Sequence, residues 1–109
     1  MPVGTSRTTP QVTIAQGGPG SLTIFAGATG MKVYATAIVL VLDAAGTIKF
    51  QEGGTDLCGP IALAANGGFV VVSGSDTSPV LSTNTPGLSF GLVTTGGKAS
   101  GWVRGFVDF

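Results

Sequence analysis

The side chains of this chain that could do chemistry are few. It has no histidine, which removes the commonest general base and the commonest zinc ligand. The single thiol, Cys58, has no partner for a nucleophilic dyad. Between Leu57 and Gly59 it reads as a small buried hydrophobe. The acids are Asp43, Glu52, Asp56, Asp76 and Asp108. Glu52 and Asp56 flank one turn and form the candidate pair for hydrolysing a glycosidic bond, but ordinary capping of that turn accounts for both. Asp76 offers calcium one carboxylate, where such sites take several oxygen ligands. No catalytic, metal-binding or cofactor-binding residue is assigned, and the chain reads as a non-enzyme.

Two glycine clusters come near a phosphate-binding loop. Gly17-Gly18-Pro19-Gly20 is followed by Leu22-Thr23-Ile24-Phe25, a strand pattern, whereas a phosphate cradle needs a helix N-terminus after it. Gly91, Gly96 and Lys98 also approach the spacing, but the lysine falls one place late and no Ser or Thr follows it directly. Trp102, Tyr34 and six phenylalanines could stack on sugars where exposed, although in alternating strands such rings are more often core. Arg104 shares Trp102's strand face, and Tyr34, Trp102 and Arg104 are the candidate subunit contact, of the amphipathic kind that interfaces favour.

The totals narrow the partners. Charged residues make up 9% of the chain, five basic and five acidic, so no field steers a nucleic acid or an anionic membrane toward it. Neither is expected as a partner. A neutral, charge-poor surface has weak self-repulsion, and an oligomer or lattice component is expected. With 19 Gly and 6 Pro the chain could pass for a disordered one, but 43% hydrophobic content in repeated alternating runs argues for a packed β domain. At 109 residues it has the size of one domain with a modest core. Met1-Pro2-Val3-Gly4 lacks a basic n-region and an apolar h-region, which predicts assembly in a cytoplasm.

The elements that must position these residues read as strands throughout. Residues 1–10 are polar, proline-bounded and without period, a flexible N-terminal arm. It is either a frayed end or a segment that orders against a neighbouring subunit. Residues 11–109 form the β-sandwich domain. Short strands surround Val12 and Ile14, then Leu22 and Ile24. Met31 to Leu42 is the most apolar run. It spans about a dozen residues, where a membrane helix needs about twenty, and its β-branched content favours a strand. Both of its faces are apolar, so the face away from the core is covered either by a second subunit or by the same chain.

Thr47, Lys49 and Gln51 alternate with Ile48 and Phe50 in a half-buried strand. Glu52-Gly53-Gly54-Thr55-Asp56 turns the chain. Leu57, Ile61 and Leu63 mark a further strand, with Gly59-Pro60 demoting that point to an edge or bulge. Asn66-Gly67 before Phe69 to Val72 predicts a type I′ hairpin. After the loops of residues 73–87, with at most one short strand at Val80-Leu81, Leu88 to Thr94 is a strand with a bulge expected at Gly91. Gly101 to Phe109 closes the sheet by alternating Trp102, Arg104, Phe106 and Asp108 against Val103, Gly105 and Val107. Turn residues at regular spacing and no helical period predict an all-β, single-domain sandwich of about seven or eight antiparallel strands, jelly-roll-like.

One stretch carries a resemblance. Ala45-Gly46-Thr47-Ile48-Lys49-Phe50, then Gly54-Thr55, then Leu57-Cys58-Gly59-Pro60-Ile61-Ala62-Leu63-Ala64 and Asn66-Gly67-Gly68-Phe69 resemble a module of small all-β structural proteins of tailed phages. The likeness covers roughly Lys32 to Phe109. Many members have a longer, aromatic-bearing loop where this chain has Gly74 to Pro79, so no role of that loop carries over. The resemblance implies a virion protein, most like a head decoration (cement) protein: a homotrimer on the outer capsid surface whose partner is the major capsid protein. On that reading Val3, Arg7 and Val12 of the N-terminal segment contribute to the capsid contact. The runner-up is a tail or head-fibre module binding a host-surface carbohydrate through its loops. A tail-tube or baseplate subunit is a more distant third.

Overall fold

The computed structural model describes residues 10–72 and 79–108. Ten strands follow in order: β1 (Gln11–Ala15), β2 (Gly20–Phe25), β3 (Lys32–Leu42), β4 (Gly46–Glu52), β5 (Thr55–Asp56), β6 (Ile61–Leu63), β7 (Gly68–Val72), β8 (Leu81–Ser82), β9 (Phe90–Thr95) and β10 (Ala99–Asp108). They form two antiparallel sheets. The first runs β1-β10-β3-β7, with β8 also on β3; the second runs β2-β9-β4-β5, with β6 also on β4.

The pairings are nested. β1 pairs β10, β2 pairs β9, β3 pairs β7, and β4 pairs both β5 and β6. This is one long antiparallel ribbon folded over on itself, with alternate strand pairs going to opposite sheets. Counting β5 and β6 as one interrupted strand, and β8 as an extra, it is the eight-stranded order of a jelly roll.

Between the sheets lie Ile14, Leu40, Leu42, Ile48, Phe50, Phe90, Leu92 and Val103, all buried. Phe50 stacks on Phe90 at 5.7 Å and meets Phe69 of the facing sheet edge-on at 6.4 Å. That aromatic trio ties the two layers together.

Two local expectations need correction. Asn66 has a positive φ of 61°, but Gly67 does not, so a type I′ hairpin is not formed. The Gly67 N–H donates to the Ala64 carbonyl at 2.9 Å and the Asn66 N–H to the Leu42 carbonyl at 2.8 Å. The turn carries the chain across from β6 in the second sheet to β7 in the first, and these strands do not pair. At Gly91 the irregularity is present, yet the extra residue is on the partner: Thr23 faces Gly91, Phe25 faces Phe90, and Ile24 is left over. Gly59-Pro60 behaves as expected, since Leu57 to Pro60 bulge opposite Lys49 and Phe50.

A second bulge decides what the first sheet shows to solvent. Opposite β10, Arg104 pairs with Ala37 and Gly105 with Ala35, leaving Thr36 unpaired in the ladder. The Thr36 hydroxyl donates to the Arg104 carbonyl at 3.3 Å. The insertion flips the parity of β3. Val33 and Ala35 face the core before it and Ile38, Leu40 and Leu42 after it, so Tyr34, Val39 and Val41 share the outer face. The apolar run thus supplies side chains to both sides.

Candidate interaction surface

The two outer sheet faces differ in chemistry. On the second sheet, Ser21, Thr23, Thr47, Lys49, Gln51, Asp56 and Thr95 point outward around Val93, a mostly polar surface suited to water. On the first sheet, β10 turns out Trp102 and Arg104, β3 turns out Tyr34, Val39 and Val41, and β7 turns out Val70 and Val72. Val41, Val70 and Val72 are 41%, 67% and 60% exposed. Covering each would contribute about 1 kcal/mol by the usual area scale. An apolar sheet face of this extent, rimmed by Gln11, Thr13, Ser82 and Ser100, has the make-up of a contact surface rather than of a wetted one.

Tyr34, Trp102 and Arg104, the expected subunit contact, are brought together on this face. In register, Trp102 lies opposite Val39, Arg104 opposite Ala37 and Phe106 opposite Tyr34. The Arg104 guanidinium carbon sits 5.2 Å from the Trp102 ring centroid, and its Nη2 donates to Gln11 Oε1 at 3.4 Å. Held over the indole, the cation is less free to solvate alone, an arrangement common in interface anchors. Tyr34 stacks on Phe106 at 5.1 Å.

Of the expected capsid-contact residues, Val3 and Arg7 lie outside the described residues. Val12 is partly buried and packs inward against the core; its neighbours Gln11 and Thr13 are the ones facing out. Pro10, where the described chain begins, is anchored to β10 by the Gly105 N–H donating to its carbonyl at 3.1 Å.

The acids serve structure. Glu52 and Asp56 stand on opposite faces of the second sheet, because Asp56 pairs in register with Gln51 and Glu52 with Thr55. Glu52 points inward, 6% exposed, and its Oε1 accepts from the Asn84 and Thr85 N–H groups at 2.7 and 3.0 Å. It caps a remote loop as well as ending its own strand. Asp56 accepts from the Gln51 amide at 2.7 Å and from the Lys49 ammonium at 3.3 Å. These two donors, the amide foremost, hold its carboxyl below the ordinary 3.8. Asp43 Oδ1 accepts from the Lys98 N–H at 2.8 Å. Asp76 lies outside the described residues. Among the described residues no three His, Cys, Asp or Glu side chains cluster as metal ligands would.

The polar outer face of the second sheet carries a shallow cavity of about 240 Å³ over Gly91, walled by Thr23, Gln51 and Ser89. A Cβ at Gly91 would run into the Leu22 carbonyl, so glycine there lets β2 and β9 approach closely beneath the trough.

Sequence reasoning missed Val41, Val70 and Val72 as surface residues. The available signal is Phe69-Val70-Val71-Val72 itself, which has no polar position for either face. Compared with known proteins, the chain matches no family model, no curated protein and no solved structure.

Proposed function

We propose that this protein is a non-enzymatic structural component of a phage virion, a decoration protein that sits on the outside of the head as a homotrimer and stabilises contacts between major capsid subunits. The observation that carries this reading is the unequal pair of sheet faces: one polar, the other an apolar field around Trp102 and Arg104 that water alone would serve poorly. The trimer and the capsid site rest on the phage-module resemblance of Ala45 to Phe69. Tyr34, Trp102 and Arg104 form the contact between copies, and the segment containing Val3 and Arg7 reaches the capsid. Linking three copies makes a weak single capsid contact strong through effective concentration.

Adding purified protein to particles that lack it, and then heating or osmotically shocking them, tests the reading. Treated particles are expected to retain their contents under conditions that empty untreated ones. Equal loss from both overturns it.

The trough over Gly91 favours one second reading, a tail or fibre module that binds a neutral carbohydrate. Its hydroxyls and amide, set beside Leu22 and Leu92, suit a polyol with one apolar ring face. On that reading the protein is confined to one vertex of the particle rather than spread over the shell.

A further inference from the structure

The edges of the two sheets are not alike. β1 turns Gln11 and Thr13 outward at one edge of the first sheet, and β2 turns Ser21 and Thr23 outward at one edge of the second. The β5–β6 edge is broken by a bulge and carries Asp56 and Pro60. The bulge, the charge and the proline keep that edge from pairing with other chains, and the polar side chains of β1 and β2 offer a joining strand no apolar surface. β7, which with the two-residue β8 makes up the remaining edge, has none of them. Its five residues, Gly68-Phe69-Val70-Val71-Val72, include no charge and no proline. It pairs with β3 along one side, and among the described residues no strand lies beyond the other. Val70, Val71 and Val72 are 67%, 41% and 60% exposed, so side chains on both faces of this strand are open as well as its edge.

We infer that the free edge of β7 joins two copies of this chain, antiparallel, across a two-fold axis at Val70. The inference rests on the proposal that the protein works as an assembly, and it names a contact distinct from the Trp102–Arg104 patch. A two-fold interface must be complementary to itself, and this strand is. Centred on Val70, the pairing sets Val70 against Val70, Phe69 against Val71, and Gly68 against Val72. No like charges meet. The chain as a whole has zero net charge, so nothing at long range keeps copies apart.

The joined sheet runs β1-β10-β3-β7 in one copy and on through β7-β3-β10-β1 in the next. Val70 and Val72 continue the apolar face of Val39 and Val41 across the junction. β10, which bears Trp102 and Arg104, lies on the far side of β3 from this edge. A copy can therefore use both contacts at once. A three-fold contact and a two-fold contact on one subunit link trimers to one another, which is what coverage of a shell requires.

Val70→Lys and Val70→Glu test this. At so exposed a position neither disturbs the fold, which circular dichroism checks. Each variant alone sets like charges face to face across the axis. Its mass in sedimentation velocity is expected to fall to half the wild-type value or less. An equimolar mixture of the two sets Lys against Glu and is expected to regain the wild-type mass.

Single variants that keep the wild-type mass overturn the inference, as does a mixture that stays dissociated. If Val70→Lys leaves the free protein unchanged but abolishes binding to particles, the edge belongs to a strand of the capsid protein and the two-copy pairing is wrong. Trp102→Ala separates the two contacts. Should the trimer fail to exist, Val70→Lys still halves the mass of whatever unit β7 joins.

Discussion

The guanidinium of Arg104 lies over the Trp102 indole, 5.2 Å from its centroid, on the outer side of the first sheet, where neither contributes to the core. A ring that large and a cation that costly to strip of water are kept together on a solvent-facing sheet. They can act as one anchor, with the arginine stem and the indole covering one another until a partner covers both.

Trp102→Ala is expected to lower the stability of the isolated fold by no more than about 1 kcal/mol, the scale of an exposed cation–π contact. Association between copies should weaken by about 2 kcal/mol or more, as for a central interface anchor. Light scattering then reports a smaller species while the β signal in circular dichroism is retained. A variant that keeps its mass, or one that unfolds, contradicts the placement of this pair at a subunit contact.

Glu52 holds the loop after β8 by accepting two backbone N–H groups on one carboxylate oxygen. Glu52→Ala leaves both donors without that acceptor, and a loss of about 3 kcal/mol in urea unfolding is expected. Glu52→Gln keeps an oxygen in place and should lose clearly less. Equal losses would mean that the hydrogen bonds contribute little and that side-chain packing is what matters.

At Gly101 the backbone has a φ of +142°, and a Cβ there would run into the Val39 carbonyl of the neighbouring strand. Gly101→Ala is therefore expected to cost about 2 kcal/mol or more through strain and displaced pairing. Gly18, with an open surrounding and no positive φ, is the control. Alanine there should change the unfolding midpoint little.

The strands are legible in the sequence wherever one of their faces is wet. Thr47, Lys49 and Gln51 against Ile48 and Phe50 announce a half-buried strand, and Trp102, Arg104 and Phe106 share one strand face, as their alternation implies. Sheet order is not legible in this way, because nesting places Gln11 beside Arg104, 93 residues away, and no local rule reaches that far. Asn66-Gly67 has the residues of a hairpin but sits where the chain changes sheets, so tertiary connection overrides turn preference. The turn reading of Glu52 fails, since its carboxylate holds the backbone of a loop 32 residues on and not that of its own turn. In β3 the bulge at Thr36 rearranges the two faces, and an unbroken apolar run hides its position.

Asp56 contributes a pH dependence whose sign is fixed. The Gln51 amide, followed by the Lys49 ammonium, lowers its pKa in the folded state below the ordinary 3.8. Its contribution is present above that value and is lost as the pH falls through the lowered one. In thermal melts, Asp56→Asn should differ slightly from wild type at neutral pH, and the difference should close on acidification. A difference that widens in acid would contradict the Gln51–Asp56–Lys49 arrangement. The pair is on the surface, and salt should reduce the effect.

The distribution of bound protein over the particle tests the central claim most directly. Purified chain, labelled and added to particles that lack it, can be located by electron cryomicroscopy of the reconstituted heads. Copies spread over the whole shell, with density joining neighbouring capsid subunits, are the predicted result. Density confined to a single vertex, or none on the head at all, would contradict it.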